Sequence, residues 1–467
     1  MRSARVTGPS AILPALLVGA YASCVALWPG TAGKLLLLLP LVLAPVLWWT
    51  LGTPAAWMFG FAAAAILLPP LPFPVGDTGV HPSLVFAALG LAAGCLRIDE
   101  WRVRMDALSW RLLFFVALLF ASVAMALFYS GERVALGSAL RVFLFCIPVF
   151  VFFYSAYGPG AGSYDEFRVL RALFWLGAAS ALFACVDFYF QFPPPAGYGP
   201  QFIWLSSGVY RRAQGIFYEA GMLGNFCAFF LTMILAALFR PGAVRPMRKF
   251  SLLLGGVVFA AALFLSFSRS SLLNVGVGVC ALAYLHRSRI RLRRLVMGGM
   301  LLTGCAALAA FAAFPVFAQL YWTRILNSFL YFVESPNAIL SGRLDSWSYL
   351  GRFLFNHPLH LIFGVGYKTL PYSEFVGKTV IADNSYLSFL VETGVVGLAA
   401  MLALSFGILR FSRRAAASDD PRGAFFGAWM FCFWSGEMAQ MMSGDILTYW
   451  RVLPLYFWVL AMAVRPR

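Results

Sequence analysis

Apolar runs about twenty residues long recur from one end of this chain to the other, each long enough to cross a bilayer as a helix. In hydrocarbon every backbone amide and carbonyl must be satisfied inside the protein, which restricts what such runs can build. Charged residues make up 11% of the chain, against roughly 25% in soluble domains. A soluble fold is excluded, and an all-α polytopic membrane protein is the class that fits. Fourteen spans are expected, near 12–28, 35–52, 55–70, 82–96, 109–129, 140–157, 169–190, 216–239, 251–267, 271–285, 295–319, 385–409, 424–440 and 446–464. Several are short or contain proline (Pro40, Pro45, Pro69, Pro70, Pro148), so the working range is twelve to fourteen.

A formal charge of +17 invites a nucleic-acid reading, which its distribution rejects. With the first residues in the cytoplasm, lysine and arginine favour the cytoplasmic side of the alternating spans by about two to one. Five of the outer cations share one long loop, where topological weight per charge is low. Both termini are therefore expected in the cytoplasm. The basic runs "RPGAVRPMRK" and "HRSRIRLRR" read as anchors facing anionic headgroups. The eight cysteines all fall inside apolar runs, without the spacing of a zinc site or a disulfide framework. Neither a metal nor a cofactor is expected. No cleavable signal peptide and no internal repeat are evident.

The chain divides into residues 1–319 with eleven spans, a large extracytoplasmic loop at 320–383, and residues 384–467 with three more. Within the loop, "RLDSWSYLGRFLF" places Leu344, Trp347, Leu350 and Leu354 on one helical face, the pattern of a helix at a membrane surface. "HPLHLIFGVGY" follows, with Gly364 and Gly366 marking a tight turn. A second ordered outer segment is expected at 192–215, "FPPPAGYGPQFIWLSSGVYRRAQG".

Ionisable groups in or beside spans cost several kcal/mol unless paired or facing a cavity, so each is a functional candidate. Asp187, Glu219, Glu392 and Glu437 are the acids. Arg211, Arg212, Arg269 and Arg343 join all but Glu437 at or near the outer boundary in this topology. Arg269 sits in "LSFSRSSLL", a minimal turn between spans, where a planar, always-charged guanidinium suits phosphate. The plainer reading is a turn cap that snorkels to headgroups. Arg212 precedes Glu219 by about two helical turns, close enough for a salt bridge, and Arg343 opens the loop helix behind Ser341. His357 and His360 are candidate general bases without an acidic orienter nearby in sequence. Three cationic sites on one face, beside buried carboxylates, point to an anionic lipid headgroup such as a pyrophosphate.

The stretches "RAQGIF", "SFSRSSLL", "SGRLDSW" leading to "FGVGY", and "DNSYLSFLVETGVVG" resemble, in this order, the bacterial O-antigen ligase and O-antigen polymerase superfamily over roughly Arg212 to Gly397. The resemblance implies a helical fold like that of the GT-C glycosyltransferases, in the inner membrane, active at the periplasmic face. It implies an undecaprenyl-pyrophosphate-linked glycan donor and, as acceptor, a lipid-linked repeat unit or lipid A–core. A chain-length regulator is an expected partner of the polymerase branch. By the same carry-over Arg212 and Arg269, with Arg211, hold the pyrophosphate, while Arg343 and Asp383 are catalytic. Asn384, Tyr386, Glu219, Glu392, His357 and His360 are supporting residues. Many ligases read His-Asn or His-Ser where this chain reads Asp383-Asn384. Aspartate is a weak base at its reference pKa of ~3.9, and the departure favours the polymerase branch. A lipid-linked oligosaccharide transporter is the other class compatible with a cationic cavity, but it would call for a repeat and broken helices near the midplane.

Overall fold

The computed structural model describes residues 19–27, 55–71, 80–159, 164–195, 197–205, 208–239, 245–287 and 342–464, with isolated positions between them. The expected spans at 35–52 and 295–319, much of 12–28, and most of the first third of the long loop lie outside the described residues. What is described is overwhelmingly helical. The helices are α1 (Ala56–Leu67), α2 (Ser83–Leu96), α3 (Ala107–Tyr157), α4 (Glu166–Phe190), α5 (Ala220–Phe239), α6 (Lys249–Leu265), α7 (Arg269–Leu285), α8 (Arg343–Asn356), α9 (Pro358–Phe363), α10 (Ser385–Ala416), α11 (Pro421–Gln440) and α12 (Leu453–Val464). Four of them, α3, α4, α5 and α10, are long and apolar enough to cross a membrane, and five shorter apolar helices accompany them.

Helix starts follow local chemistry. Asp106, Asp165, Ser268, Asn384 and Asp420 each accept a backbone amide from the first turn of α3, α4, α7, α10 and α11. The two spans expected at 109–129 and 140–157 are the two arms of α3. Gly131, at φ 81° and ψ 173°, breaks the helix between them. Phe115 stacks edge-on against Phe145 at 5.3 Å and Phe120 against Phe143 at 5.4 Å, so the arms fold back on each other as a hairpin. The last expected span, 446–464, is shortened. Helix α12 begins only at Leu453, with Pro454 in its first turn, where the missing amide costs nothing. The residues before it form short turns at Met441–Ser443 and Ile446–Thr448.

Among the described residues, one part departs from an all-α description. Phe202–Leu205 (β1) and Gly208–Arg211 (β2) form a two-stranded antiparallel hairpin, Phe202 opposite Arg211 and Leu205 opposite Gly208. "FIWL" and "GVYR" are rich in aromatic and β-branched residues, and "SSG" between them suits a turn. The core is aromatic. Phe229 lies 4.4 Å from the ring of Trp429 and 4.4 Å from that of Tyr456, tying α5, α11 and α12 together. Helices α7 and α11 approach closely because Gly436 has no side chain: a Cβ there would stand 2.2 Å from the Asn274 backbone oxygen.

Candidate active site

The site is organised by a break in α10. Gly394 adopts φ 70° and ψ −175°, a conformation essentially reserved for glycine, and interrupts the helix after its first turns. The carbonyls freed by the break are taken by the loop. Val365 donates to the Val391 carbonyl at 3.0 Å and Gly366 to that of Glu392 at 2.8 Å. The approach is so close that a Cβ on Gly364 would meet the Glu392 oxygen at 2.3 Å, and one on Gly394 the Ile362 oxygen at 2.0 Å. "FGVGY" and "VETGVVG", separate motifs in sequence, are thus two halves of one backbone lock. A small apolar core of Leu350, Leu354, Val365, Leu370, Val376, Val380, Ala382 and Val391 sets α8 on it.

That lock positions Asp383. The Trp347 indole donates to the Ala382 carbonyl at 2.7 Å, and Asn384 caps α10 by accepting from the Leu387 amide at 3.1 Å. Between these two anchors Asp383 is held at φ 45°, a left-handed conformation uncommon outside glycine. Its Oδ2 is ion-paired with Arg343 Nε at 3.3 Å, so the two residues expected to be catalytic do meet.

The arginines converge from three elements. Arg212, just beyond β2, donates from Nε to the Ser266 carbonyl at 2.8 Å, in the turn between α6 and α7. Arg269 opens α7 in the same turn. Arg343 lies within electrostatic reach of both, and as a like charge it opposes the charged state of each. Arg212 is also deprived of water, and this burial first, offset in part by Tyr449 and Glu219, holds its pKa below the ordinary guanidinium value. Cations crowded in this way favour a multiply charged anion among them.

Arg211 does not join this group. Its guanidinium pairs with Asp187 at 3.4 Å and donates to the Phe192 carbonyl at 2.8 Å, which fastens the hairpin to the end of α4. Residues 211 and 212 are neighbours on an extended chain, so their side chains leave on opposite faces. The histidines also stand apart. His360 packs at 4.7 Å against the Tyr129 ring and at 5.3 Å against Phe375, and His357 lies 4.8 Å from Phe353. Tyr386 donates to the Met438 carbonyl at 2.6 Å and holds α10 to α11.

Three residues of the site carried no signal strong enough to single them out in sequence: Lys368, Asp445 and Tyr449. Glu219, beside Arg212, hydrogen-bonds Tyr449 and feels the charges of Asp445 and Asp383. Lys368, buried at φ 57°, is ion-paired with Asp445 and lies near Glu392. Burial alone would lower the pKa of its ammonium, but the charge of Asp445, then that of Glu392, outweighs burial and raises it. Glu392 accepts from the Leu370 amide at 3.4 Å, so it serves the loop anchor. Asp445 in "SGDILTYW" follows a span boundary, the one cue that the segment is not lipid-facing. Glu437 belongs to a deeper network, bound by Asn225 at 2.6 Å and Asn274 at 2.9 Å between α5, α7 and α11.

Residues 253–402 match the model of a family described as O-Antigen ligase. The match includes Arg269, Arg343, Asp383, Asn384 and Glu392, together with both halves of the backbone lock. It supports the resemblance to the O-antigen ligase and polymerase superfamily over those residues and points to the ligase type. No curated protein matches the chain.

Proposed function

With an O-antigen ligase family region spanning its arginine turn and its loop, we propose that the protein polymerises undecaprenyl-pyrophosphate-linked oligosaccharide repeat units at the periplasmic face of the inner membrane. The observation that carries the reading is the grouping of Arg212 and Arg269 around Arg343, which is itself ion-paired with Asp383. Arg212 and Arg269 bind the donor's pyrophosphate and neutralise the charge that grows on it as the anomeric C–O bond breaks. An acceptor hydroxyl attacks the anomeric carbon from the opposite face, giving inversion in one displacement. Asp383 orients that hydroxyl and takes its proton, while Arg343 fixes one carboxylate oxygen and leaves the other for the acceptor. The lipid pyrophosphate departs, and the glycan is longer by the transferred unit.

A second reading is transfer to lipid A–core, favoured by the description of the matched family itself. The two are separated by product: a ladder from a lipid-linked acceptor marks the polymerase, a single transfer to lipid A–core the ligase. In either case Arg269→Ala should lose about 10²–10³-fold in kcat, the usual effect of removing one preorganised donor. Full activity in that variant sinks the pyrophosphate assignment.

A further inference from the structure

The second half of the long loop, expected on the extracytoplasmic side with its first helix at the membrane surface, has an α9 corner whose depth two independent helices measure. Along the unbroken stretch of α10, the break at Gly394 is about 24 Å from the basic end at Arg410, at ~1.5 Å per residue. Gly366 bonds to the Glu392 carbonyl. Along the first arm of α3, Ala126 is about 30 Å from the capped end at Asp106, which Arg102 and Arg104 flank. Gly366 also lies against Ala126, since a Cβ on it would meet the Ala126 Cα at 2.5 Å. The hydrocarbon layer is ~30 Å thick. Both rulers therefore put the α9–Gly366 corner at the far edge of the hydrocarbon from the two arginine flanks.

At that depth four large apolar side chains are uncovered, beside the exposed polar Asn356 and His357. Phe355 is 88% exposed, Leu359 71%, Phe363 58% and Ile362 47%. Arg352, one turn before Phe355 on α8, is exposed as well, at the level where a guanidinium meets phosphate headgroups. The backbone of this irregular segment is not left to the lipid, because Val365 and Gly366 donate to the broken α10. This is the condition under which non-helical chain is tolerated near hydrocarbon.

We propose that α9 and the end of α8 are inserted as an interfacial, re-entrant element into the leaflet opposite the arginine flanks, with Phe355, Leu359, Ile362 and Phe363 among the acyl chains. The occupant of this face is lipid. The loop thus has a lipid-embedded corner at 355–363, anchored to protein through the buried residues 364–366, and an aqueous part that includes Lys378.

The test uses the full-length protein in liposomes, with Leu359→Cys, Phe363→Cys and, as aqueous reference, Lys378→Cys, each labelled with bimane. Unsubstituted protein labelled in parallel gives the background from native cysteines. Brominated phospholipids should quench Leu359→Cys and Phe363→Cys, whose emission shifts to the blue, while iodide in the buffer should quench Lys378→Cys alone. Either labelled corner position that folds is sufficient. Quenching of the corner by iodide and not by bromolipid would overturn the proposal in favour of a solvent-facing loop. Quenching by neither would overturn it in favour of a face covered by protein, such as a second copy of the chain. None of these readouts depends on the glycan chemistry.

Discussion

Replacing Gly394 by alanine should open the joint between the loop and α10. The backbone there, φ 70° and ψ −175°, is in a region that costs a side-chain-bearing residue about 1–3 kcal/mol. The new Cβ would also stand 2.0 Å from the Ile362 carbonyl oxygen, so α9 must retreat. Retreat breaks the bonds from Val365 to Val391 and from Gly366 to Glu392. Each buried amide left unpaired costs about 1–3 kcal/mol. The joint should therefore lose at least about 3 kcal/mol, which is about a hundredfold in its opening equilibrium. Hydrogen–deuterium exchange of peptides covering residues 358–370 reads this directly, as faster exchange in Gly394→Ala. Gly276→Ala is the control, since a Cβ there meets nothing within 4 Å and its φ is not positive. In a helix that change is expected to be neutral or stabilising by about 0.5–1 kcal/mol. Equal exchange in the two variants would refute the lock.

Other perturbations divide holding residues from chemical ones. Lys368→Met leaves Asp445 without its buried partner and should destabilise the fold by about 3–5 kcal/mol; adding Asp445→Asn should recover part of that loss in a denaturation assay. Arg211→Ala should loosen the hairpin and lower stability while leaving turnover per folded molecule near wild type, unlike Arg212→Ala, and equal loss of turnover in the two would contradict their separation. Asp383→Asn keeps the shape but removes the proton acceptor, so kcat should fall by about 10²–10⁴-fold with donor binding retained; unchanged kcat would remove Asp383 from the reaction.

Apolar run length and the sidedness of arginine made the helical plan legible, because bilayer thickness acts on every span alike. The α3 hairpin was legible as two spans, but not its one-residue turn at Gly131, since glycine in an apolar run carries no distinctive local signal. Asp383 and Arg343 were named separately from short motifs, and their pairing depends on Trp347 and Gly394, which fix the loop from a distance. The assignment of Arg211 with Arg212 failed to anticipate strand geometry, which sends adjacent side chains to opposite faces. Lys368 is one cation of the long loop, and Asp445 and Tyr449 stand at the edge of or inside the last apolar run, positions without a strong local cue. Tertiary contact alone gathers them beside Glu219 and Glu392, and no sequence period encodes that contact.

Glycosyl transfer from a lipid pyrophosphate is tested most directly by one reaction. Purified protein in liposomes is given a polyprenyl-pyrophosphate-linked glycan with both a lipid-linked repeat unit and lipid A–core available, and the products are followed by mass spectrometry. Lengthened lipid-linked glycan and one free polyprenyl pyrophosphate for each new glycosidic bond are expected, both falling about 10²–10³-fold in Arg269→Ala. Folded wild-type protein that leaves the donor intact, or carries it across the bilayer without forming a bond, would contradict it.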